Sequence, residues 1–271
     1  MRATPELARP VLERVTVVAN DPVSKGVGLL QLHAPRIASA VHAGQFVHVR
    51  IATGADFILR RPFAVHRRNG EAIEVLYRVL GRGTRELESR RAGEVMDAIG
   101  PLGRGWEPGE VSSALLVAGG IGAAPLGMLA EDLAARGVAV SVALGAPSEE
   151  RLVARDLFER VARRVGVVTE DGSVGERGLV TALTERWLKQ ETFDVVCTCG
   201  PEGMSRAVAG QARSARVPCL VSLERLMACG VGACLSCVVS TTHGLKKACK
   251  HGPVFDAEEV VWDASESPAS A

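Results

Sequence analysis

Four cysteines within about twenty residues constrain this 271-residue chain more than any other feature. Cys229, Cys234, Cys237 and Cys249 follow the pattern C-x4-C-x2-C with a longer gap to the fourth thiol, which is the spacing of loops that hold a 2Fe–2S cluster. Two sulfide-bridged irons need four thiolates converging from a tight loop. Gly230 and Gly232 give that loop positive φ without steric cost. Two other readings of the same thiols are a structural zinc site and disulfides. Zinc sites usually present two C-x2-C pairs, and only Cys234 and Cys237 form one here. Disulfides suit a secreted chain, and the start Met1-Arg2-Ala3-Thr4-Pro5-Glu6 lacks the charged and then apolar layout of a signal peptide. The spacing favours the cluster. Cys197, Cys199 and Cys219 lie in apolar stretches and are expected as buried thiols.

The length predicts two domains, or two plus a small appendage, and 47 % hydrophobic with 23 % charged residues is enough to build substantial cores. A formal net charge of +1 argues against nucleic acid as the main partner. No apolar run reaches membrane-spanning length, so no membrane span is expected and a reducing cytoplasm is the expected location. Residues 264–271 are Ser, Ala, Pro and Glu, a composition expected to be disordered.

Residues 8 to about 106 read as β structure. Val11–Val18, Val27–Leu32, Gln45–Ile51 and Ile73–Val79 are short strands, the last two alternating with period two as half-buried strands do. Several such strands with glycine punctuation predict a small antiparallel β-barrel. Within it, the rigid Arg61-Pro62 step can aim a guanidinium at a phosphate, or be a solvated arginine at a strand end. Gly81-Arg82-Gly83-Thr84 predicts a Thr-capped helix start that suits an anion, or an ordinary capped turn. Ile99–Trp106 reads as a turn-rich loop. From residue 112 strands alternate with helices, which predicts a central doubly wound parallel α/β sheet. Its first strand runs into Gly119-Gly120-Ile121-Gly122-Ala123-Ala124-Pro125, a glycine turn that either admits a pyrophosphate or serves packing. Thr198-Cys199-Gly200-Pro201 ends a later strand, at the edge where such sheets bind ligands.

Four patches in this order resemble the ferredoxin-reductase superfamily: Arg61-Pro62-Phe63 with Tyr77-Arg78 and Gly83-Thr84, then Gly119–Pro125, then Cys199-Gly200-Pro201, then the cysteine loop. The run Ser222–Cys234 with Gly252-Pro253-Val254-Phe255-Asp256-Ala257 is similar, more narrowly, to the electron-transfer subunits of NAD-dependent dihydroorotate dehydrogenases. The resemblance covers roughly residues 8 to 262. It implies an FAD-binding barrel at 8–107, an NAD-binding α/β domain at 112–218 and a small C-terminal 2Fe–2S lobe at 219–262. It further implies that Arg61, Pro62, Phe63, Ala64, Leu76, Tyr77, Arg78, Gly83 and Thr84 touch FAD, with Arg61 at the diphosphate and Tyr77 along the cofactor. Gly119, Gly120 and Gly122 would pass close to NAD(H), and Cys199, Gly200 and Pro201 would edge the nicotinamide pocket. Cys229, Cys234, Cys237 and Cys249 would ligate the cluster.

The implied activity is a relay from NADH through FAD and the 2Fe–2S cluster to an FMN-containing catalytic subunit, in a heterotetramer of two of each. No catalytic residue for a further substrate is identifiable. Two departures stand out. Ala64 occupies a position where the family usually carries Ser or Thr near the reactive edge of the flavin, and the gap from Cys237 to Cys249 is short, which predicts a trimmed loop for the fourth ligand. The same build could serve another partner, in a sulfide dehydrogenase, a hydrogenase or a ferredoxin:NADP reductase complex. A non-redox, zinc-binding protein on a degenerate reductase scaffold is the reading from a different class. Glu149 and Glu150 after one strand suit NADH by charge, Arg151 and Arg155 argue the reverse, and an ordinary solvated helix start accounts for all four more simply than either.

Overall fold

The computed structural model describes residues 9–54 and 57–262; the extreme start and the tail expected as disordered lie outside them. The first half is antiparallel. Strands β1 (Val11–Ser24), β2 (Val27–His33), β3 (Phe46–Arg50), β4 (Arg61–Ala64), β5 (Arg67–Asn69), β6 (Ala72–Arg78) and β7 (Val95–Leu102) form one sheet in the order β4-β3-β7-β1-β2-β6-β5. The sheet curls so that β4 also packs against β6. Val15, Val17, Leu30, Leu32, Val47, Val49, Ile73 and Val75 fill its interior. Helix α1 (Pro35–Ala38) plugs one end, and α2 (Arg82–Glu88) follows β6.

Two expectations need correction here. The stretch read as a turn-rich loop from Ile99 is the end of β7, which lies between β3 and β1. Its Gly100-Pro101 step falls where the β3–β7 register shifts, between the Phe46–Leu102 and His48–Ile99 pairs, and bulges tolerate residues that a regular central strand excludes. Strand β3 alternates in sequence, yet Phe46 to Val49 are all buried. Val47 and Val49 point into the barrel core, whereas Phe46 joins a second core with Leu102, Cys237, Cys249 and Phe255. The outer face of the barrel is thus the seat of the cysteine region.

The second half is a sheet in the order β11-β10-β9-β8-β12-β13-β16. Its strands are β8 (Ser113–Gly119), β9 (Ala139–Ala146), β10 (Arg164–Thr169), β11 (Glu176–Arg177), β12 (Val195–Cys199), β13 (Cys219–Ser222) and β16 (Val254–Asp256). All neighbours are parallel except β13 and β16. Helices α3 (Gly127–Ala135), α4 (Arg155–Val161), α5 (Val180–Gln190) and α6 (Glu202–Ser214) supply the crossovers. The chain leaves β8 towards β9 and β10, then returns to β12 on the other side. The reversal opens a crevice between the C-terminal ends of β8 and β12, where open α/β sheets bind ligands.

Residues 219–262 are stitched into this sheet at both ends, by β13 and by β16. Between them lie the cysteine loop, a hairpin of β14 (Val238–Thr241) and β15 (Gly244–Lys247), and α7 (Ala248–His251). The hairpin accounts for the short gap before the fourth cysteine. It turns back so tightly that the Ala248 N–H donates to the Cys237 carbonyl at 2.9 Å. Among the described residues no helix is long and apolar enough to cross a membrane.

Candidate functional site

At the barrel edge, β4 and α2 bring Arg61 and Gly83 together. A Cβ at Gly83 would lie 3.2 Å from Arg61 Nε, so the missing side chain leaves a cradle beside the guanidinium. Arg61 spends Nη1 on the carbonyls of Leu59, at 2.7 Å, and Arg60, and guanidinium carries five N–H donors in all. Thr84 is not the cap that its sequence position predicts. The cap is Gly81, and Thr84 sits in the first turn, where its hydroxyl accepts the Leu80 N–H at 2.8 Å and the Gly81 N–H at 3.2 Å. Its side chain therefore shapes the turn. Tyr77 is likewise turned inward: it is 3 % exposed, its hydroxyl donates to Asn20 Oδ1 at 2.9 Å, and any Cβ on Gly28 would overlap its ring. Phe63, half-buried, meets the Tyr77 ring edge-on at 6.3 Å and is the aromatic surface that the strand leaves accessible. Pro62 and Ala64 lie with it on β4, and Leu76 is buried on β6.

The crevice at the sheet reversal is a cleft of about 440 Å³, lined on one side by Gly119, Gly120, Gly145 and Pro201 and reaching Thr181 at the start of α5. Arg78 from the barrel and Glu224 from the segment before the cysteine loop complete it. Burial holds the Glu224 carboxyl above its ordinary range, with the Arg78 charge drawing it back.

The three glycines of the turn divide their labour. Gly122 and Gly119 serve packing: a Cβ at Gly122 would overlap the Cys199 carbonyl, and one at Gly119 would lie 2.6 Å from Met204 Sδ. Gly120, at φ +53°, faces open space on the cleft, so it is the glycine whose backbone a ligand can approach. The turn is a 3-10 helix, Gly120–Leu126, running into α3. Cys199 points away from the cleft into the core, and burial pushes its thiol well up. Cys197 and Cys219 are buried as expected, Cys219 pushed up to about 12 by burial and then by Asp256.

The cysteine loop brings its four thiols together as two pairs. Cys229 and Cys234 are in hydrogen-bonding contact, and so are Cys237 and Cys249. The Cys249 N–H donates to Cys237 Sγ at 3.4 Å and the Ala233 N–H to Cys229 Sγ at 3.3 Å. Among the described residues no three His, Cys, Asp or Glu side chains converge as a single metal ion requires. A 2Fe–2S cluster asks for a different arrangement, four cysteines shared between two irons, and two pairs fit it. Gly230 and Gly232 do adopt positive φ, +69° and +85°. Burial works against ionisation of Cys229, yet the N–H groups of Val231, Cys234 and Ala233, with the Cys234 thiol, overcome it and hold that thiol at about 6. Cys249, buried and beside Cys237, is pushed up to about 12.

Three residues that sequence reasoning passed over hold these parts in place. His66 Nδ1–H donates to the Ala124 carbonyl at 2.9 Å, and Trp106 Nε1–H donates to the Pro125 carbonyl at 2.8 Å. Both belong to the first half of the chain and both grip the glycine turn of the second. Arg67 adds an ion pair at 2.7 Å to Glu131 on α3. Only the tertiary fold joins them, since each pair is separated by many residues in sequence.

Residues 224–261 match the model for the iron-sulfur cluster binding domain of dihydroorotate dehydrogenase B. The chain is 39 % identical over 254 residues, 91 % of its length and 97 % of the relative's, to the dihydroorotate dehydrogenase B (NAD(+)) electron transfer subunit of Desulforamulus reducens. It is 37 % identical, over 91 % of its length and 96 % of the relative's, to the protein of that name from Bacillus pumilus. A solved structure of an NADH-dependent reduced ferredoxin-NADP oxidoreductase superposes with a TM-score of 0.84 at 29 % identity, covering 92 % of this chain and 90 % of that one. With a curled antiparallel sheet, a doubly wound sheet and a paired set of four thiols in the same order, the chain belongs to the family of dihydroorotate dehydrogenase B electron transfer subunits.

Proposed function

We propose that this protein carries electrons from NADH, through FAD at residues 8–107 and a 2Fe–2S cluster at 219–262, to an FMN-containing catalytic subunit that interconverts dihydroorotate and orotate. Two copies of each subunit would form the cytoplasmic complex. Bound FAD supplies the conversion between the electron pair of a nicotinamide and the single electrons of an iron–sulfur cluster. The chain's residues supply binding and placement. Arg61 and the start of α2 at Gly83 and Thr84 hold the flavin's diphosphate, with Pro62, Phe63, Ala64, Leu76, Tyr77 and Arg78 forming the wall beside it. The α/β domain at 112–218 receives NAD(H) in the cleft, over Gly119 and Gly120, with Gly122 keeping the turn tight against Cys199-Gly200-Pro201. Cys229, Cys234, Cys237 and Cys249 would hold the cluster, which would supply the single-electron exit.

The observation that carries this reading is the arrangement of the four thiols, two by two, on the face of the barrel. That loop presents Leu226, Val231 and Leu235 to solvent, 87 %, 52 % and 62 % exposed, an apolar rim of the kind that marks a partner's docking surface. The test is reconstitution. The purified holoprotein should reduce an artificial acceptor with NADH and leave orotate untouched until the catalytic subunit is added. Orotate turnover by this chain alone, without NADH, would overturn the division of labour.

A second reading is favoured by the likeness to the ferredoxin-NADP oxidoreductase structure: the same relay serving another partner. Co-purification of the native complex separates the two, since the partner holds the substrate site.

A further inference from the structure

His48 is 1 % exposed, and among the described residues neither of its ring nitrogens has a partner in hydrogen-bonding geometry. A buried imidazole without partners is costly, so such a group calls for a role in the loaded protein. Its position indicates which. His48 stands on β3 two residues after Phe46, on the face that meets the cysteine region, and is paired across the sheet with Pro62 of β4. The ring lies flat against the cluster loop: a Cβ at Gly230 would sit 2.5 Å from Nδ1 and 3.0 Å from the neighbouring ring carbons. Backbone groups of Cys229 on one side and Arg60 on the other flank the ring. One belongs to a cluster ligand, the other immediately precedes Arg61 in the flavin strand. Both flanking groups act on the ring as acceptors, and a neutral imidazole has one N–H to give; given to Cys229, it ties the loop to β3 while the ring itself spaces the loop from the flavin strand.

We propose that His48 is a positioning residue of the electron exit: it hydrogen-bonds the loop at Cys229–Gly230 and fixes the separation between that loop and the Arg61–Ala64 strand. The inference rests on the reading of the cysteine loop as the cluster site. Hydrogen bonds around ligating cysteines tune an iron–sulfur centre, so removing this one changes the cluster's signature as well as the speed at which electrons reach it. The glycine at 230 then has two reasons to be glycine, its positive φ and the ring pressed on its Cα.

The experiment uses the full chain, purified anaerobically with its cofactors, as wild type, His48→Phe and His48→Asn. Phe keeps a ring and removes the N–H donor; Asn keeps a donor and removes the ring. Iron and acid-labile sulfide in the wild type test the cluster reading first, and their absence there condemns that reading rather than the role of His48. With the wild type loaded, His48→Phe should show altered g values in the paramagnetic resonance spectrum of its reduced cluster. Electron passage from reduced flavin to cluster should slow about tenfold or more, the usual cost of removing a supporting hydrogen bond at a metal site. Flavin reduction by NADH should be unchanged, and His48→Asn should restore the spectrum towards wild type. Loss of the cluster from His48→Phe with retention in His48→Asn supports the same role. A His48→Phe protein with wild-type g values and wild-type passage overturns it. So does loss of the cluster from both variants, because the donor in Asn would then have made no difference.

Discussion

The glycine turn after β8 and the cysteine loop before β14 are both short, glycine-rich and placed to receive a cofactor, yet they are held in opposite ways. The turn is gripped from outside. Cys199 packs on Gly122, His66 and Trp106 donate to consecutive carbonyls at Ala124 and Pro125, and residues 122–126 are buried. The cysteine loop rests on the His48 ring at Gly230 and is otherwise lightly bonded, by the Ala233 N–H to Cys229 Sγ and Lys247 Nζ to the Gly232 carbonyl at 2.8 Å, with Cys234 and Leu235 exposed. On the proposed reading the turn is a preformed nucleotide site whose ligand comes and goes. A cluster site draws its rigidity from the metal, because binding and local folding are one event.

The largest effect that this contrast predicts is at the thiols. Cys234→Ser or Cys249→Ala should abolish bound iron and acid-labile sulfide while flavin stays, whereas Cys197→Ala, deep in the sheet, should keep full iron and lose about 1 kcal/mol of stability to denaturant. Chelating the iron should speed amide exchange across 229–237 and leave 119–126 protected. Equal exchange in the two segments would dissolve the contrast.

The next effect is a pH dependence that belongs to the turn. Burial first, and then the Arg67 charge, lower His66 to about 4, against a partly offsetting bond to Ala124. The unfolded chain protonates this ring near its ordinary 6.5, the folded chain only near 4. Between those values the unfolded state binds more protons, so stability falls as pH drops from about 6.5 to 4 and the loss is complete below that. The difference corresponds to about 3 kcal/mol. In His66→Phe this component of the pH profile should vanish in urea titrations. The variant should be less stable at pH 8, where the Ala124 carbonyl loses its donor.

Smaller again is the division among the glycines. Gly122→Ala forces a methyl into the Cys199 carbonyl and should cost about 2 kcal/mol of stability. Gly120→Ala meets open space and should cost about 1 kcal/mol for its left-handed backbone. Its main effect should be on KM for NADH, raised roughly fivefold for about 1 kcal/mol of lost approach. If Gly120→Ala leaves KM alone and Gly122→Ala raises it, the roles of the two positions are exchanged.

The sequence showed the chemistry more readily than the scaffolding. Thiol spacing is local, so Cys229 to Cys249 could be read from a single stretch. The strand–helix alternation after residue 112 is also local and declared the doubly wound sheet. What joins the two halves is not local. His48 is polar in an alternating strand and reads as solvent-facing; it is buried because a loop some 180 residues later lies on it. His66 and Trp106 gave no periodic signal at all. Strand β16 has only three residues and runs against its neighbour, too short for a pattern. At β7 the Gly100-Pro101 step imitated a turn because glycine and proline usually mark one, while the bulge that accommodates them is a property of the sheet. Thr84 has the residue type of a cap but its hydroxyl serves the turn two residues inside the helix, and the bond from Tyr77 to Asn20 that fixes its ring joins strands 57 residues apart.

The central claim is that the two-by-two thiols hold a 2Fe–2S cluster within reach of a flavin on the same chain, and metal and sulfide analysis of anaerobically purified protein tests it most directly. The account predicts iron and acid-labile sulfide in equal amounts, with FAD released on denaturation and both chromophores bleached by NADH. Zinc in place of iron, or iron without acid-labile sulfide, would contradict it.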